Sequence, residues 1–216
     1  KQNADIVCCN YFEEYNHWHK RVEYSYLYET PEILLASIPT TLNSAVWNKL
    51  IRRTLYIANN IRWFEGINMQ EDLGITLRLR VLSLKTIVVP YAFYHYNRQN
   101  LFSMAMKPKL NYIEEQILCA KLLEQWMLFH FNDRYKYLVD KIKFWAKSGL
   151  FIHSGIQDIK RWKSTFPETN INIWRYKQMP LYNRLPMWLA LHGFGSLAKM
   201  IVYIKNKLAY MRASIR

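Results

Sequence analysis

Residues 71–89 read EDLGITLRLRVLSLKTIVV, and the hydrophobic period changes within them. Leu73, Leu77, Val81 and Leu84 recur at helical spacing and predict an amphipathic helix of about three turns, with Gly74 a mild weakness in it. Lys85 to Val89 is a β-rich run closed by Pro90, and Ala92 to Tyr96 reads as another strand. A helix feeding strands in this order predicts a mixed α/β front part. Just upstream, Gly66 breaks the apolar pattern and marks a loop that runs into the helix and sets Glu71 and Asp72 at its start. Carboxylates there either cap the helix and complement its dipole or form half of an active site. Spacing alone leaves both readings open.

Near the start, ADIVCCNYFEEY carries a strand over Asp5 to Cys9, and a polar aromatic stretch to about Tyr28 suits either a hairpin or an excursion from the sheet. Thr30 and Pro31 supply an N-cap and a first-position proline, predicting a short helix through Ile38. VWNKLIRRTLYIANN has helical spacing, with Trp47, Leu50 and Ile51 facing inward. From Pro108 the character turns helical. Ile113, Ile117, Ala120, Leu123 and Met127 share one face, RYKYLVDKIKFWAKSGLF repeats the pattern before Gly149, and Pro167, Pro180 and Pro186 mark loops. Residues 185–204, LPMWLALHGFGSLAKMIVYI, approach the length of a membrane span but are interrupted by His192, Gly193, Gly195, Ser196 and Lys199. They read as two short amphipathic pieces. Their apolar face, with Trp188, Phe194, Met200 and Ile201 flanked by Lys199, Lys205, Lys207, Arg212 and Arg216, either covers the core or lies in a membrane interface.

A chain of 216 residues that is 51% hydrophobic has ample material for a buried core. Cys8, Cys9 and Cys119 form no CxxC pair, which points to a reducing compartment and no structural zinc. His17 and His19 alternate without a third ligand nearby, so no metal site is read in this chain. The net charge of +14 is unevenly spread: residues 1–133 hold 14 Lys/Arg and 13 Asp/Glu, whereas residues 134–216 hold 16 and 3. That tail favours a phosphate-rich partner, an anionic membrane leaflet or nucleic acid, unless its cations are simply solvated faces of packed helices.

The ordered motifs ADIVCCNYFEEY, VWNKLIRRTLY, NNIRWFEGINMQED and FYHYNRQNLFSM resemble the second half of the catalytic domain of family 2 glycosyltransferases of the bacterial surface-polysaccharide type, over about residues 1–104. The resemblance implies an acceptor-side half of a GT-A domain at 1–105, mixed α/β, followed by a helical basic region at 106–216. It implies inverting transfer of a sugar from a nucleotide-sugar donor to a saccharide or lipid-linked acceptor. It also implies that the donor-binding half, with a DxD-type motif and the ligands of a divalent metal (Mg or Mn), lies outside this chain, which alone should be inactive. Asp72 resembles the family's base, with Glu71 orienting the acceptor or raising the pKa of Asp72; where Gln70 stands the family commonly has Gly. Arg98 and His95 match the segment over the donor diphosphate, which Ser103 would end, and Trp47, Lys49, Trp63 and Glu65 match the acceptor side.

The implied location is cytoplasmic, peripheral at the inner face of the membrane. The alternative is a non-catalytic basic helical module that binds a membrane periphery or nucleic acid. Nucleic acid is the less favoured partner, because no RNA- or DNA-binding motif is recognisable.

Overall fold

Strand β1 (Ile6–Glu14) is the middle of the sheet and is paired on both edges. In the computed structural model, which describes all residues except 1–2, 31–32, 34–43, 101–109, 154–156, 178 and 215–216, β4 (Thr86–Asn97) runs parallel to β1 along its whole length. The other edge is shared between two short antiparallel strands: β3 (Lys49–Ile51) pairs with Ile6 to Cys8, and β2 (His19–Val22) pairs with Tyr11 to Glu14. Of the two readings of the stretch to Tyr28 the hairpin is found: β1 and β2 pair, closed where the Tyr15 N–H donates to the Trp18 carbonyl at 2.9 Å. Tyr28 adds an antiparallel bridge to Ile87 on the outer edge of β4.

Two expectations for this region are corrected. The runs on either side of Pro90 are one strand, because the register passes from Cys9–Val89 to Asn10–Ala92 and leaves Pro90 and Tyr91 bulged out of the ladder. A residue with no N–H is tolerated where no ladder bond is required of it. The helix read over VWNKLIRRTLY is confined to α1 (Arg53–Ala58). Pairing with β1 draws Lys49 to Ile51 into the sheet, which turns Leu50 outward, 77% exposed, while Ile51 packs on the sheet-side core. The helix read from Thr30 through Ile38 lies outside the described residues.

Helix α2 (Glu71–Leu82) joins the two halves of the core. Its Ile75 and Leu79 pack with Ile6, Cys8 and Val88 of the sheet, while Leu73 and Leu77 belong to the cluster built by the later helices. Every residue from Leu73 to Arg80 is buried as a result, and Leu84, read as part of the apolar face, lies beyond the helix end and is 97% exposed. Gly74 serves packing: a Cβ there would sit 3.0 Å from the Phe64 ring and 3.3 Å from the Cys119 sulfur. That close approach sets α2 against α3 (Leu110–Phe131).

The remainder is helical. After α3 come a 3-10 turn at Asn132–Tyr135, α4 (Lys136–Ile152), α5 (Ile159–Ser164), a longer 3-10 segment at Pro167–Arg175, α6 (Leu181–Leu191) and α7 (Gly195–Ser214). The α3 face read from the sequence is buried as expected, from Ile113 to Met127. Gly149 does not end its helix: it lies inside α4, where a Cβ would fall 2.9 Å from Ile113. Pro186 is likewise inside α6 rather than in a loop, and the carbonyl it deprives of a partner belongs to Tyr182, 58% exposed to solvent. Lys147, fully buried, fastens the segment after α5 by donating to the carbonyls of Thr165 (2.9 Å) and Phe166 (3.0 Å) and to Asn170 Oδ1 (2.6 Å). Residues 185–204 fall into two helices as read, but the second, α7, is long at 20 residues. Among the described residues no helix is long and apolar enough to cross a membrane. The boundary expected near residue 105 lies outside the described residues.

Candidate active site

The loop before α2 is pinned from a distance. Glu115 of α3 accepts the N–H groups of Asn68 and Met69 through one oxygen, both at 2.8 Å, so the turn into α2 is held against α3. Gln70 is the N-cap residue, with φ 66°, and its side chain makes no capping hydrogen bond. Its carbonyl instead accepts the Gly74 N–H at 3.0 Å and lies 3.5 Å from the Cys119 sulfur. A left-handed backbone favours glycine. Gln70→Gly is therefore expected to stabilise the protein by about 0.5–1 kcal/mol, read as a higher urea midpoint with unchanged slope.

Asp72 does not cap its helix either. Its Oδ2 accepts the Val46 N–H at 3.2 Å, across to the turn before β3, and no described residue hydrogen-bonds Oδ1. The Thr76 hydroxyl strengthens the same junction, 2.8 Å from the Ser44 carbonyl and 2.6 Å from that of Asp72. Burial raises the Asp72 pKa above its ordinary value, with the Val46 N–H and the Lys49 charge pulling the other way. Burial also raises the pKa of Glu71; repulsion from Asp72 and Glu115 adds to the rise, and first-turn backbone N–H groups oppose it. Lys49, whose ammonium donates to the Ala45 carbonyl and to Asn48 Oδ1, is lowered to about 8, chiefly by burial.

From Val46 the chain continues into an aromatic stack. The Trp47 ring lies 4.2 Å from Tyr94 and 5.5 Å from Tyr96, both roughly parallel, and meets Tyr11 edge-on at 4.8 Å. Tyr96 in turn carries the Arg98 guanidinium 4.7 Å above its ring. Arg98 donates through Nε at 3.0 Å and through Nη2 to Glu13, a neighbour supplied by β1. Val46 thus ties the Asp72 carboxylate to the residue before Trp47, Tyr96 links Trp47 to Arg98, and Lys49 acts on Asp72 through its charge. The partners that sequence reading missed are the Val46 amide, Glu13, Glu115 and the tyrosines. Only the tyrosines had a signal, the alternation in FYHYN that puts Tyr94 and Tyr96 on one face of β4.

His95 is not brought to Arg98. It alternates to the other face of the strand, where its Nδ1 lies 2.6 Å from Glu14 and its ring 5.1 Å from Phe12. Trp63 and Glu65 are both exposed in the loop ahead of α2, Trp63 by 51%. Ser103 lies outside the described residues. Among the described residues no three His, Cys, Asp or Glu side chains stand close enough together to hold a metal ion.

No protein-family model matches the chain, and no curated protein matches it. Its structure is similar to the crystal structure of residues 1–349 of TarS from S. aureus in complex with UDP-GlcNAc, with a TM-score of 0.53 and 12% sequence identity. The match takes in 94% of this chain and 60% of that one. At this identity the likeness is one of fold: a mixed α/β region followed by helices, shared with a protein that holds a sugar nucleotide.

Proposed function

We propose that this chain is the acceptor-side part of a family 2-type, inverting glycosyltransferase that takes its sugar from a nucleotide-sugar donor and passes it to a saccharide or lipid-linked acceptor. The observation that carries the proposal is the Asp72 carboxylate. It stands at the start of a buried helix with one oxygen fixed by Val46 and no described partner on the other, beside a stacked aromatic wall, in a fold shared with a sugar-nucleotide-bound protein. In the proposed reaction an acceptor hydroxyl gives its proton to Asp72 as its oxygen attacks the anomeric carbon. The bond from that carbon to the diphosphate breaks, its electron pair leaves with the nucleoside diphosphate, and Asp72 ends as the acid.

In this proposal the Trp47 and half-exposed Tyr94 rings present apolar surface of the kind that packs against sugars, and the Lys49 charge favours the ionised carboxylate. In this proposal Arg98, oriented by Glu13 and Tyr96, serves the donor side, and His95, on the other face of the sheet, is left out of that role. The donor-binding half and the ligands of its divalent metal belong, in this proposal, to polypeptide outside this chain.

The test is turnover of a panel of sugar nucleotides by this chain joined to a donor-binding half, alongside the chain alone. The joined protein is expected to release nucleoside diphosphate and the chain alone to release none. Turnover by the chain alone, or none by the joined protein with any donor, overturns the proposal.

A further inference from the structure

Helix α7 has two apolar faces. Ala198 and Val202 are fully buried, and Asn206 on the same side donates to the Ile152 carbonyl at 3.0 Å, so this face is committed to the protein. Leu197, Met200, Ile204, Leu208 and Met211 recur at spacings of three and four residues on another side, each between 42 and 53% exposed. An apolar stripe of that length on a surface helix needs a partner.

We propose that this stripe is a docking face for an anionic lipid surface, with α7 lying in the plane of the interface. Charge identifies the occupant. Residues 169–216 contain eight Lys/Arg and no Asp or Glu. Exposed Lys207 borders the stripe, exposed Lys199 lies further round the helix on that same side, and exposed Phe194 and Tyr203 supply rings of the kind that settle at a headgroup boundary. A second copy laid on the same face would set these lysines against their own kind, with no carboxylate in the segment to answer them. A phosphate-bearing leaflet answers both the apolar stripe and its cationic borders. This inference does not depend on the glycosyl-transfer reading, because binding is measured without turnover.

The test is flotation of the full chain with vesicles of phosphatidylcholine alone or mixed with phosphatidylglycerol. The wild type is expected to bind the mixed vesicles and to release as salt rises. Met200→Gln with Ile204→Gln is expected to weaken binding by about tenfold or more. Lys199→Gln with Lys207→Gln is expected to weaken it by about fivefold per lysine on the mixed vesicles only. All four side chains are exposed, so circular dichroism and melting should match the wild type. Equal binding to neutral vesicles, wild-type binding by the Met200/Ile204 variant, or a solution dimer that this variant dissolves would overturn the proposal. Tighter binding to duplex DNA than to the mixed vesicles would do the same.

Discussion

Arg80→Met is expected to destabilise the fold by about 3–5 kcal/mol, because it strands a buried carboxylate. The Arg80 side chain is 1% exposed and that of its partner Glu29 6%, which separates this pair from the surface ion pairs whose net worth is small. Arg80 donates through Nε to one Glu29 oxygen at 3.0 Å and through Nη2 to the other, while the Tyr26 hydroxyl donates to the second oxygen at 3.2 Å. The pair also closes a topological gap. Arg80 comes from α2, and Glu29 from the segment whose own N–H donates to the Thr86 carbonyl at the start of β4. Losing the guanidinium leaves the buried Glu29 carboxylate without its partner charge. Equilibrium urea unfolding measures the loss. Adding Glu29→Met to Arg80→Met should recover part of it, since the orphaned charge is then gone. A single variant within about 1 kcal/mol of wild type would show that the pair is solvated.

That pair also shows where sequence reading stops. The core face of α2 was legible through Leu73 and Leu77, because periodicity reports a helix that buries one side. It does not report a helix buried on several. Ile75, Leu79 and Arg80 face a sheet whose strands come from residues 6–14 and 86–97, and no local pattern carries that information. β3 was lost for the same reason: Lys49 to Ile51 have helical spacing, and only their pairing with Ile6 to Cys8 makes them a strand. The ordinary meaning of Pro90 in a sequence is a strand end, whereas a bulge in the β1–β4 ladder absorbs it. At the candidate site the ordered motifs point to Asp72, Trp47, Lys49 and Arg98, of which Asp72 is tied to Val46, next to Trp47, and Trp47 and Arg98 are linked through Tyr96. The groups that hold them, the Val46 amide, Glu115 and Glu13, sit 26 to 85 residues away in the chain, beyond the reach of any spacing rule.

In this chain joined to a donor-binding half, the proposed role of base predicts that Asp72→Asn lowers kcat by about 100- to 10,000-fold while leaving donor affinity near wild type. Asparagine keeps the size of the side chain, and its Oδ1 still accepts the Val46 N–H, so the junction between α2 and the turn before β3 should survive. What it lacks is the basicity to receive the acceptor proton. The pH profile separates this from a merely structural role. Burial holds the Asp72 pKa above its ordinary value of 3.8, and a base works only when deprotonated. Activity should therefore be lost on the acid side at a higher pH than an exposed aspartate would give. Lys49 pulls that pKa down, so Lys49→Met, which removes the charge, should move the acid limb to still higher pH. An Asn variant within about threefold of wild-type kcat, or an acid limb indifferent to Lys49, would remove Asp72 from the role of base.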